Sequence, residues 1–309
     1  MPKVSVIIPV YNVEQYIERC ARSLFEQTLE DIEFIFVNDC TPDNSMAMLT
    51  NIISDYPART AQIKIVNHDV NKGLPTARRS GLAIATGEYV IHCDSDDWVD
   101  KTMYQKLLEK AENEHCDMVV CGYSITDGNQ IFTTTLNESN GFKSIKHAII
   151  ADKIPNYTWN KLIRRDLYNY IEEWPKYNLL EDAAIITPIA YHCKSIGKID
   201  EPLYFYYKNE ASICHDTKGK NKAKQIITNT DLAITHIRNH GGDKEYQREL
   251  RHRKCLVKIL NYDLLWRDYI TAYPEVNLSL LFDQYLPVSK KLGHVTKCLG
   301  IHGISKVFR

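Results

Sequence analysis

Three carboxylates stand within four residues in the segment Asp94-Ser95-Asp96-Asp97. Acids this close repel one another unless a cation is present. Carboxylate oxygens suit hard divalent ions such as Mg²⁺ or Mn²⁺, which commonly keep substrate phosphates as further ligands. Lys72 or Arg78 can face the same phosphates. The alternative is that Asp96 and Asp97 only cap the helix that follows them. Because basic residues and other polar strand ends are expected nearby, we favour a divalent cation site.

The elements that must position these side chains lie in about the first 120 residues. Short apolar runs rich in β-branched residues alternate there with helix-length segments, which predicts βα units. Parallel strands need crossover connections, so the pattern predicts an α/β fold with a mostly parallel sheet and helices on both faces. Ligands of such sheets bind at the carboxyl ends of the strands. The expected strands are 4–10, 32–37, 63–66, 89–93 and 118–123.

Polar residues follow four successive strands and are expected to meet at that edge of the sheet. Tyr11 and Asn12 come after the first strand, where Asn12 is also expected to cap a helix. Asp39 ends the second strand, and the loop 67–79 follows the third. The acidic segment 94–97 follows the fourth. The sequence therefore predicts one polar rim built from four loops.

The pattern changes beyond residue 123. Asp127-Gly128 reads as a hairpin turn, and 203–207 reads as an aromatic strand. Residues 180–193 look helical and open on Glu181 and Asp182, which by themselves fit the positive end of a helix dipole. From residue 216 onwards only helical spacing is found, which places a soft boundary there.

The 309 residues have a formal net charge of −1, which argues against a dedicated nucleic-acid-binding protein. This balance hides two halves of opposite sign. Residues 1–215 contain 21 basic and 30 acidic side chains, whereas residues 216–309 contain 17 and 9. Such asymmetry can mark contact with a membrane or a polyanion. The composition, with 44% hydrophobic and 25% charged residues, is that of a globular protein.

The cysteine content indicates a reducing compartment. There are nine cysteines, an odd number, and no pair has CxxC spacing. Buried free thiols therefore explain them better than disulfides or a zinc ribbon. The apolar run at the N-terminus is too short for a signal peptide, and no stretch approaches a membrane span. We expect a cytoplasmic protein, or one at the inner face of the cytoplasmic membrane.

Seven sequence motifs together resemble the family-2 inverting glycosyltransferases with the GT-A fold. They occur in the family's order over about the first 215 residues, and the last 95 or so match nothing as diagnostic. The resemblance implies a Rossmann-like GT-A catalytic domain over 1–215, with a nucleotide-sugar half at about 1–123 and an acceptor half at about 124–215. A helical C-terminal region would follow over 216–309. The motifs are VSVIIPVYN, FVNDCTPDNS, NKGLPTARRSGL, ATGEYVIHCDSDDW, WNKLIRRDL, LLEDAAI and PLYFYYKNEASI.

The resemblance implies a nucleotide-sugar site, most simply for a UDP-sugar. Asp39 matches the acid that accepts a hydrogen bond from the uracil ring. Tyr11 would lie near the base, and Asp94 would contact the ribose. Asp96 would hold a divalent cation, Mn²⁺ or Mg²⁺, that bridges the diphosphate. The other residues implied to line the nucleotide-sugar site are Pro9, Asn12, Gly73 and Arg78.

The resemblance also implies residues for catalysis. Asp182 matches the general base, with Glu181 as the alternative. Lys208 stands where the family often has arginine and keeps the charge but not the planar fork. His215 lies just beyond it and could complete metal or diphosphate binding.

These roles describe a hexosyl-type glycosyltransferase that moves one sugar from a nucleotide-sugar to an acceptor hydroxyl. A cation would neutralise the leaving diphosphate, and a carboxylate would take the hydroxyl proton during a single inverting displacement. The lack of QxxRW argues against a processive polysaccharide synthase. The acceptor would be a glycan or a lipid-linked intermediate in cell-surface polysaccharide or glycan synthesis. The sequence does not indicate the oligomeric state.

Other classes of protein remain as alternatives. An inactive transferase-like scaffold would keep the fold without the reaction, and a nucleotidyltransferase would consume a nucleoside triphosphate. A nicotinamide-dependent oxidoreductase would need GxGxxG after the first strand, which is absent. For the basic region 216–309 we predict contact with an anionic membrane, against the alternatives of a solvated appendage or an oligomer contact.

Overall fold

The computed structural model describes residues 1–128, 130–134, 143–208, 219–261, 264 and 266–299, without the side chains of residues 219 and 220. The chain forms two compact units. The first unit comprises Met1–Glu138, Tyr157–Asn178 and His192–Glu210. The second comprises Ser139–Asn156, Leu179–Tyr191 and Ala211–Arg309, so it includes two segments that were expected in the acceptor half. The boundary expected at 215/216 lies outside the described residues.

Four parallel strands form one part of the sheet in the first unit, in the order β3-β2-β1-β4. Every residue of β1 is buried, as expected for a strand covered by helices on both faces. Helices α1, α2 and α3 occupy the connections between these strands, so the predicted βα units are confirmed. The strands are β1 (Val4–Val10), β2 (Ile32–Asn38), β3 (Ile63–Asn67) and β4 (Tyr89–His92), and the helices are α1 (Ile17–Phe25), α2 (Ser45–Ser54) and α3 (Leu74–Ile84).

The sheet continues through strands of both directions. Its order beyond β4 is β8-β6-β9-β5, with β7 paired to β6 as the second strand of the predicted hairpin. β8 runs antiparallel to both β4 and β6, whereas β6 and β9 are parallel. The remaining elements of this unit are β5 (Trp98–Val99), α4 (Met103–Asn113), β6 (Met118–Thr126), β7 (Ile131–Thr134), β8 (Lys161–Arg164), β9 (Ile196–Tyr207) and the 3₁₀ helices Pro57–Gln62 and Arg165–Tyr170.

Helix packing brings α1 and α3 close to the sheet. The buried face of α1 carries Ile17, Cys20, Ala21, Leu24 and Phe25. On α3, a Cβ at Gly81 would lie 2.4 Å from Cγ2 of Ile7, so only glycine allows this close approach to β1. The expectation that Asn12 caps α1 was wrong. Tyr16 occupies the N-cap, and Asn12 takes a left-handed conformation with φ of 56° in the preceding loop.

In the second unit, the regular elements among the described residues are all helical, as predicted for the chain beyond 216. Arg253 joins two of these helices, because its guanidinium donates to the carbonyls of Ile149 and Ile150 at the end of α5 over 2.9 and 2.8 Å. The helices are α5 (Ile145–Ile150), α6 (Glu181–His192), α7 (Gly219–Asn239), α8 (Gln247–Leu260), α9 (Trp266–Thr271), α10 (Val288–Cys298) and the 3₁₀ helices Pro274–Val276 and Ser279–Phe282.

Two further expectations concern membranes and thiols. Among the described residues, no helix has the length and apolar composition needed to cross a bilayer. Within the same residues the cysteines are free thiols, and most of them are buried. This state agrees with the expectation from the odd cysteine count.

Candidate active site

The loops after β1 and β2 are tied together by hydrogen bonds. The N–H groups of Asn12 and Glu14 donate to Oγ1 of Thr41 and Oδ2 of Asp43, each over 2.8 Å. Burial opposes ionisation of Asp43, but hydrogen bonds from Ser45, Thr41 and the backbone of Glu14 prevail and lower its pKa. These contacts give the first part of the predicted rim a defined shape.

Two residues predicted to line the nucleotide lie beside this junction. Pro9 is buried in β1 opposite Val37 of β2. Tyr11 follows the strand with 43% of its surface exposed. An exposed aromatic ring at the carboxyl end of a central parallel strand is suited to stack against a flat ring of a ligand.

Asp39 follows β2 directly, at the carboxyl end of that strand. Its side chain is buried, and Oδ1 lies 2.6 Å from Nδ1 of His68. The N–H groups of Lys72 and Gly73 donate to the same carboxylate, each over 2.8 Å. His68 lies 2.8 Å from the hydroxyl of Ser80 through its other ring nitrogen. These contacts fold the loop after β3 back over the end of β2.

Gly73 has a backbone conformation that explains its residue type. Its φ of 85° is one that side-chain-bearing residues rarely adopt, and a Cβ there would come within 3.1 Å of Oδ1 of Asn178. The same Asn178 oxygen accepts a hydrogen bond from the N–H of Leu74 over 3.2 Å. Gly73 thus combines a left-handed turn with close packing beside Asp39.

Arg78 and Asp94 are brought together at the end of β4. Arg78 is 1% exposed, and its Nη2 donates to Oδ1 of Asp94 over 3.0 Å. Asp94 remains partly exposed, and its N–H donates to the hydroxyl of Tyr204 over 3.1 Å. A buried guanidinium therefore orients a carboxylate that retains a solvent-facing side.

The acids of the segment 94–97 divide into two environments. Asp97 is fully buried and accepts hydrogen bonds from the hydroxyl of Tyr204 and the N–H of Tyr207, each over 2.7 Å. Burial, reinforced by the charges of Asp96 and Asp94, raises the pKa of Asp97 well above its usual range. Asp97 thus anchors the segment to β9, whereas Asp94 and Asp96 are only half-buried.

This donor set fits a hard divalent cation. Asp94 and Asp96 offer carboxylate oxygens on a partly exposed segment, which is the ligand type that Mg²⁺ and Mn²⁺ prefer. After burial, the charges of Asp96 and Asp94 are the next causes that raise the pKa of Asp97, so the three acids of this segment repel one another. A bound cation would relieve this repulsion.

The other residues predicted for the site lie in later parts of the chain. Lys208 follows β9, where its N–H donates to the carbonyl of Thr126 over 2.8 Å and its Nζ lies 5.7 Å above the ring of Phe132. His215 lies outside the described residues, so its predicted role stays a prediction. Glu181 and Asp182 belong to the second unit.

Glu181 and Asp182 form the first turn of α6. Leu180, immediately before them, has φ of 57°, a strained conformation for a residue with a branched side chain. Glu181 is buried and Asp182 half-buried. Their acids suit the positive end of the helix dipole. The choice of Asp182 over Glu181 as general base stays a prediction.

Two residues of the rim, His68 and Tyr204, were not predicted from the sequence. His68 lies within the loop after β3 but was assigned no role, although polar residues at strand ends were the guiding signal. The hydroxyl of Tyr204, in the predicted aromatic strand 203–207, donates to Asp97 and accepts from the N–H of Asp94. A tyrosine fully buried in a strand needs a partner for its hydroxyl, and the nearby acidic segment could have suggested one.

The chain is similar to known glycosyltransferases both in sequence and in structure. The model of the family described as Glycosyl transferase family 2 matches residues 5–171. The chain is 36% identical over 229 residues to "Uncharacterized glycosyltransferase EpsJ" of Bacillus subtilis (strain 168). That match covers 69% of this chain and 63% of EpsJ, so it spans less than two thirds of that relative.

Solved structures show the same fold at low sequence identity. TarS 1–349 of S. aureus in complex with UDP-GlcNAc superposes with a TM-score of 0.67 and 16% identity, over 99% of this chain and 90% of that one. Mannosyltransferase PcManGT from Pyrobaculum calidifontis, in complex with GDP-Man and Mn²⁺, superposes with a TM-score of 0.57 and 14% identity, over 99% and 83%. The mixed α/β fold is that of the GT-A glycosyltransferases. The chain therefore belongs to glycosyl transferase family 2.

Proposed function

We propose that the protein transfers a single sugar from a UDP-sugar to an acceptor hydroxyl with inversion at the anomeric carbon. The observation that carries this proposal is the polar rim at the ends of β1 to β4, where Asp39 lies in one loop and Asp94 and Asp96 in another. The UDP-GlcNAc complex of the similarly folded TarS supports a uridine donor.

Asp39 is the residue we assign to the base. Three donors from His68, Lys72 and Gly73 occupy its carboxylate, which leaves acceptor capacity on Oδ2. A carboxylate that can only accept selects a ring N–H. Uracil presents such a group at N3, whereas cytosine presents a lone pair there. We expect Tyr11 to contact the base, and Pro9, Asn12 and Gly73 to shape the loops around it.

The diphosphate would lie beside the segment 94–97, where the buried Arg78 would act through its hydrogen bond to Asp94. Asp96, with Asp94 beside it, would hold Mn²⁺ or Mg²⁺, which when bound supplies charge neutralisation for the leaving UDP. The Mn²⁺ in the mannosyltransferase complex supports this use of a cation. Asp94 would also contact the ribose, and Lys208 and His215 are further candidates for the diphosphate.

The transfer step needs one proton acceptor. We assign this role to Asp182, with Glu181 as the alternative. The acceptor oxygen attacks the anomeric carbon, its proton passes to the carboxylate, and the bond from that carbon to the diphosphate oxygen breaks with its electrons leaving on UDP. A single displacement of this kind inverts the anomeric centre and forms no covalent intermediate.

A transfer assay with a panel of UDP-sugars tests this proposal. Thermal shift with Mn²⁺ selects the donor, since a ligand of the folded state raises the melting temperature. The selected α-linked donor should yield a β-linked product by NMR. CDP should stabilise the protein less than UDP. A retained anomeric configuration, or equal stabilisation by UDP and CDP, would contradict the proposal.

The acceptor is proposed to be a glycan or a lipid-linked intermediate of cell-surface polysaccharide synthesis, used at the inner face of the cytoplasmic membrane. Residues 216–309 have a net charge of +8. Val288 and Leu292 share one face of α10, and the C-cap residue Leu299 follows at the same spacing; they are 70%, 49% and 69% exposed, and Lys290 and Lys291 lie on the same helix. An exposed apolar stripe beside basic residues suits the surface of an anionic bilayer.

Co-sedimentation with vesicles tests the membrane contact. Anionic phosphatidylglycerol vesicles should bind the protein at low salt, and neutral phosphatidylcholine vesicles should bind it less. Leu292→Glu should weaken binding, whereas Ile131→Glu, at an exposed apolar residue of β7, serves as the matched control. Equal binding by both variants, or self-association through this stripe in light scattering, would contradict the membrane contact.

A further inference from the structure

Helix α1 and the turn after it hold the backbone that carries the acidic segment. Oγ of Ser23 accepts a hydrogen bond from the N–H of Val99 over 3.3 Å. Nε2 of Gln27 donates to the carbonyl of Asp100 over 2.8 Å. Ser23 is in the last turn of α1, and Gln27 lies just beyond the end of the helix. None of the roles assigned above uses these contacts.

Arg19, four residues before Ser23, makes the contact that reaches Asp96. Its Nη2 donates to the carbonyl oxygen of Asp96 over 2.9 Å. The guanidinium carbon lies 3.8 Å from the ring centre of Trp98 and 4.7 Å from that of Tyr207. The ring of Trp98 also stacks in parallel with the ring of Phe205, and the two ring centres are 5.3 Å apart.

This environment restricts the guanidinium strongly. A planar cation over aromatic rings is stabilised by cation–π attraction, and its N–H groups donate hydrogen bonds only from its edge. The aromatic residues come from β5 and from the end of β9, so Arg19 joins three elements at one point. Its fixed edge is directed at the residue whose carboxylate is the strongest candidate for the cation.

We propose that Arg19 is a positioning residue that holds Asp96 in the orientation required for divalent-cation binding, an inference that rests on the proposed metal-assisted binding of UDP. Residues that orient a metal ligand typically change metal affinity 10- to 100-fold when they are replaced. Arg19 has no contact with the donor in this proposal and acts only through the backbone of Asp96.

The test measures how strongly Mn²⁺ and UDP assist one another. The Kd of UDP is determined by calorimetry on the full chain with and without Mn²⁺, and the ratio of the two constants is the readout. Arg19→Met and the polar Arg19→Gln should each lower this ratio at least tenfold. Arg22→Met is the matched control, because Arg22 lies on the same helix and pairs at the surface with Glu18 and Asp55.

If Arg19 has only a structural role, its replacement lowers the melting temperature or the number of UDP molecules bound per chain. The ratio of the two Kd values then stays unchanged, because both Kd values are measured on the folded fraction. A wild-type ratio in either Arg19 variant would overturn the inference even if Mn²⁺ assists UDP in the wild type. If Mn²⁺ fails to assist UDP in the wild type itself, the metal-assisted donor site is wrong, and the inference falls with it. Arg19→Gln keeps the test decisive if Arg19→Met does not fold.

Discussion

Nδ1 of His68 lies 2.6 Å from Oδ1 of Asp39, and both side chains are buried where β2 and β3 end. The loop after β3 closes over this pair through the backbone of Lys72 and Gly73. The carboxylate of Asp39 is therefore held in a single orientation before any ligand arrives. Such preorganisation reduces the entropic cost of binding.

Replacing Asp39 by asparagine tests its role in base recognition. The asparagine amide has one oxygen atom, whereas the N–H groups of Lys72, Gly73 and His68 donate to two oxygen atoms of the carboxylate. The NH₂ group of the amide would also face the ring N–H of uracil, so two donors would oppose each other. Hydrogen bonds to charged groups contribute about 1.5–3 kcal/mol, so we expect the Kd of UDP to rise at least tenfold. Calorimetry measures this change.

Asp69→Asn is the matched control, because Asp69 is exposed in the same loop and undergoes the same chemical change. It should leave the Kd of UDP within twofold of the wild type. An unchanged Kd in Asp39→Asn would remove Asp39 from the base site.

The parallel part of the sheet could be predicted from the sequence because its strands are buried on both faces. Such strands read as continuous apolar runs, as β1 and β2 do. β8 was not predicted, since its four residues include charged Lys161 and Arg164 and have no apolar period. β5 has only two residues, and its pairing with β9 depends on contacts distant in sequence.

The candidate site was predictable to the extent that it follows from strand ends. Asp39 and Gly73 come together because the loops of adjacent parallel strands meet at one edge. The role of His68 depends on the loop after β3 folding back, which no local pattern indicates. The different environments of Asp96 and Asp97 arise from Tyr204 and Tyr207, more than a hundred residues away in sequence.

Kinetic measurements on variants distinguish the roles of Glu181 and Asp182, the two acids in the first turn of α6. We expect Asp182→Asn to keep the Kd of UDP and to lower kcat by about 10²–10⁴-fold, which is the usual contribution of a general base. Glu181→Gln is the control for a neighbouring acid of the same helix turn and should keep most of kcat. The reverse pattern would assign the proton transfer to Glu181, and normal turnover in both variants would exclude the pair.

We expect the protein to lose stability in acid because His92 is buried. Complete burial, with a contribution from the charge of Arg78, lowers the pKa of His92 well below 6.5. Below about pH 6.5, His92 is protonated in the unfolded chain but stays neutral in the folded chain. The free energy of unfolding therefore falls by up to about 1.4 kcal/mol for each pH unit below this value. Above pH 6.5 this effect is absent.

Urea unfolding of the wild type and His92→Asn at pH 7.5 and pH 5.5 measures this effect. The free energy of unfolding should fall less between the two pH values in His92→Asn than in the wild type. His115→Asn is the control at an exposed histidine and should follow the wild type. Parallel pH dependence of His92→Asn and the wild type would show that His92 takes up its proton in the folded state.

We expect Lys258, in the second unit, to make the stability of the protein depend on pH in the alkaline range. It is fully buried, and its Nζ donates to the carbonyls of Tyr269 and Ala272. Burial lowers its pKa from 10.5 to about 8, against the opposing influence of nearby groups such as Glu275. Between pH 8 and pH 10.5 the unfolded chain binds more protons than the folded chain, so this residue makes the protein more stable as the pH rises.

Comparison with Lys258→Met isolates this contribution, because the variant keeps the length of the side chain and lacks the titrating group. The free energy of unfolding of the wild type, minus that of Lys258→Met, should increase between pH 8 and pH 10. Lys244→Met, at an exposed lysine of the same unit, should show no such increase relative to the wild type. A difference that stays constant across this range would mean that Lys258 ionises in the folded protein as it does in the unfolded chain.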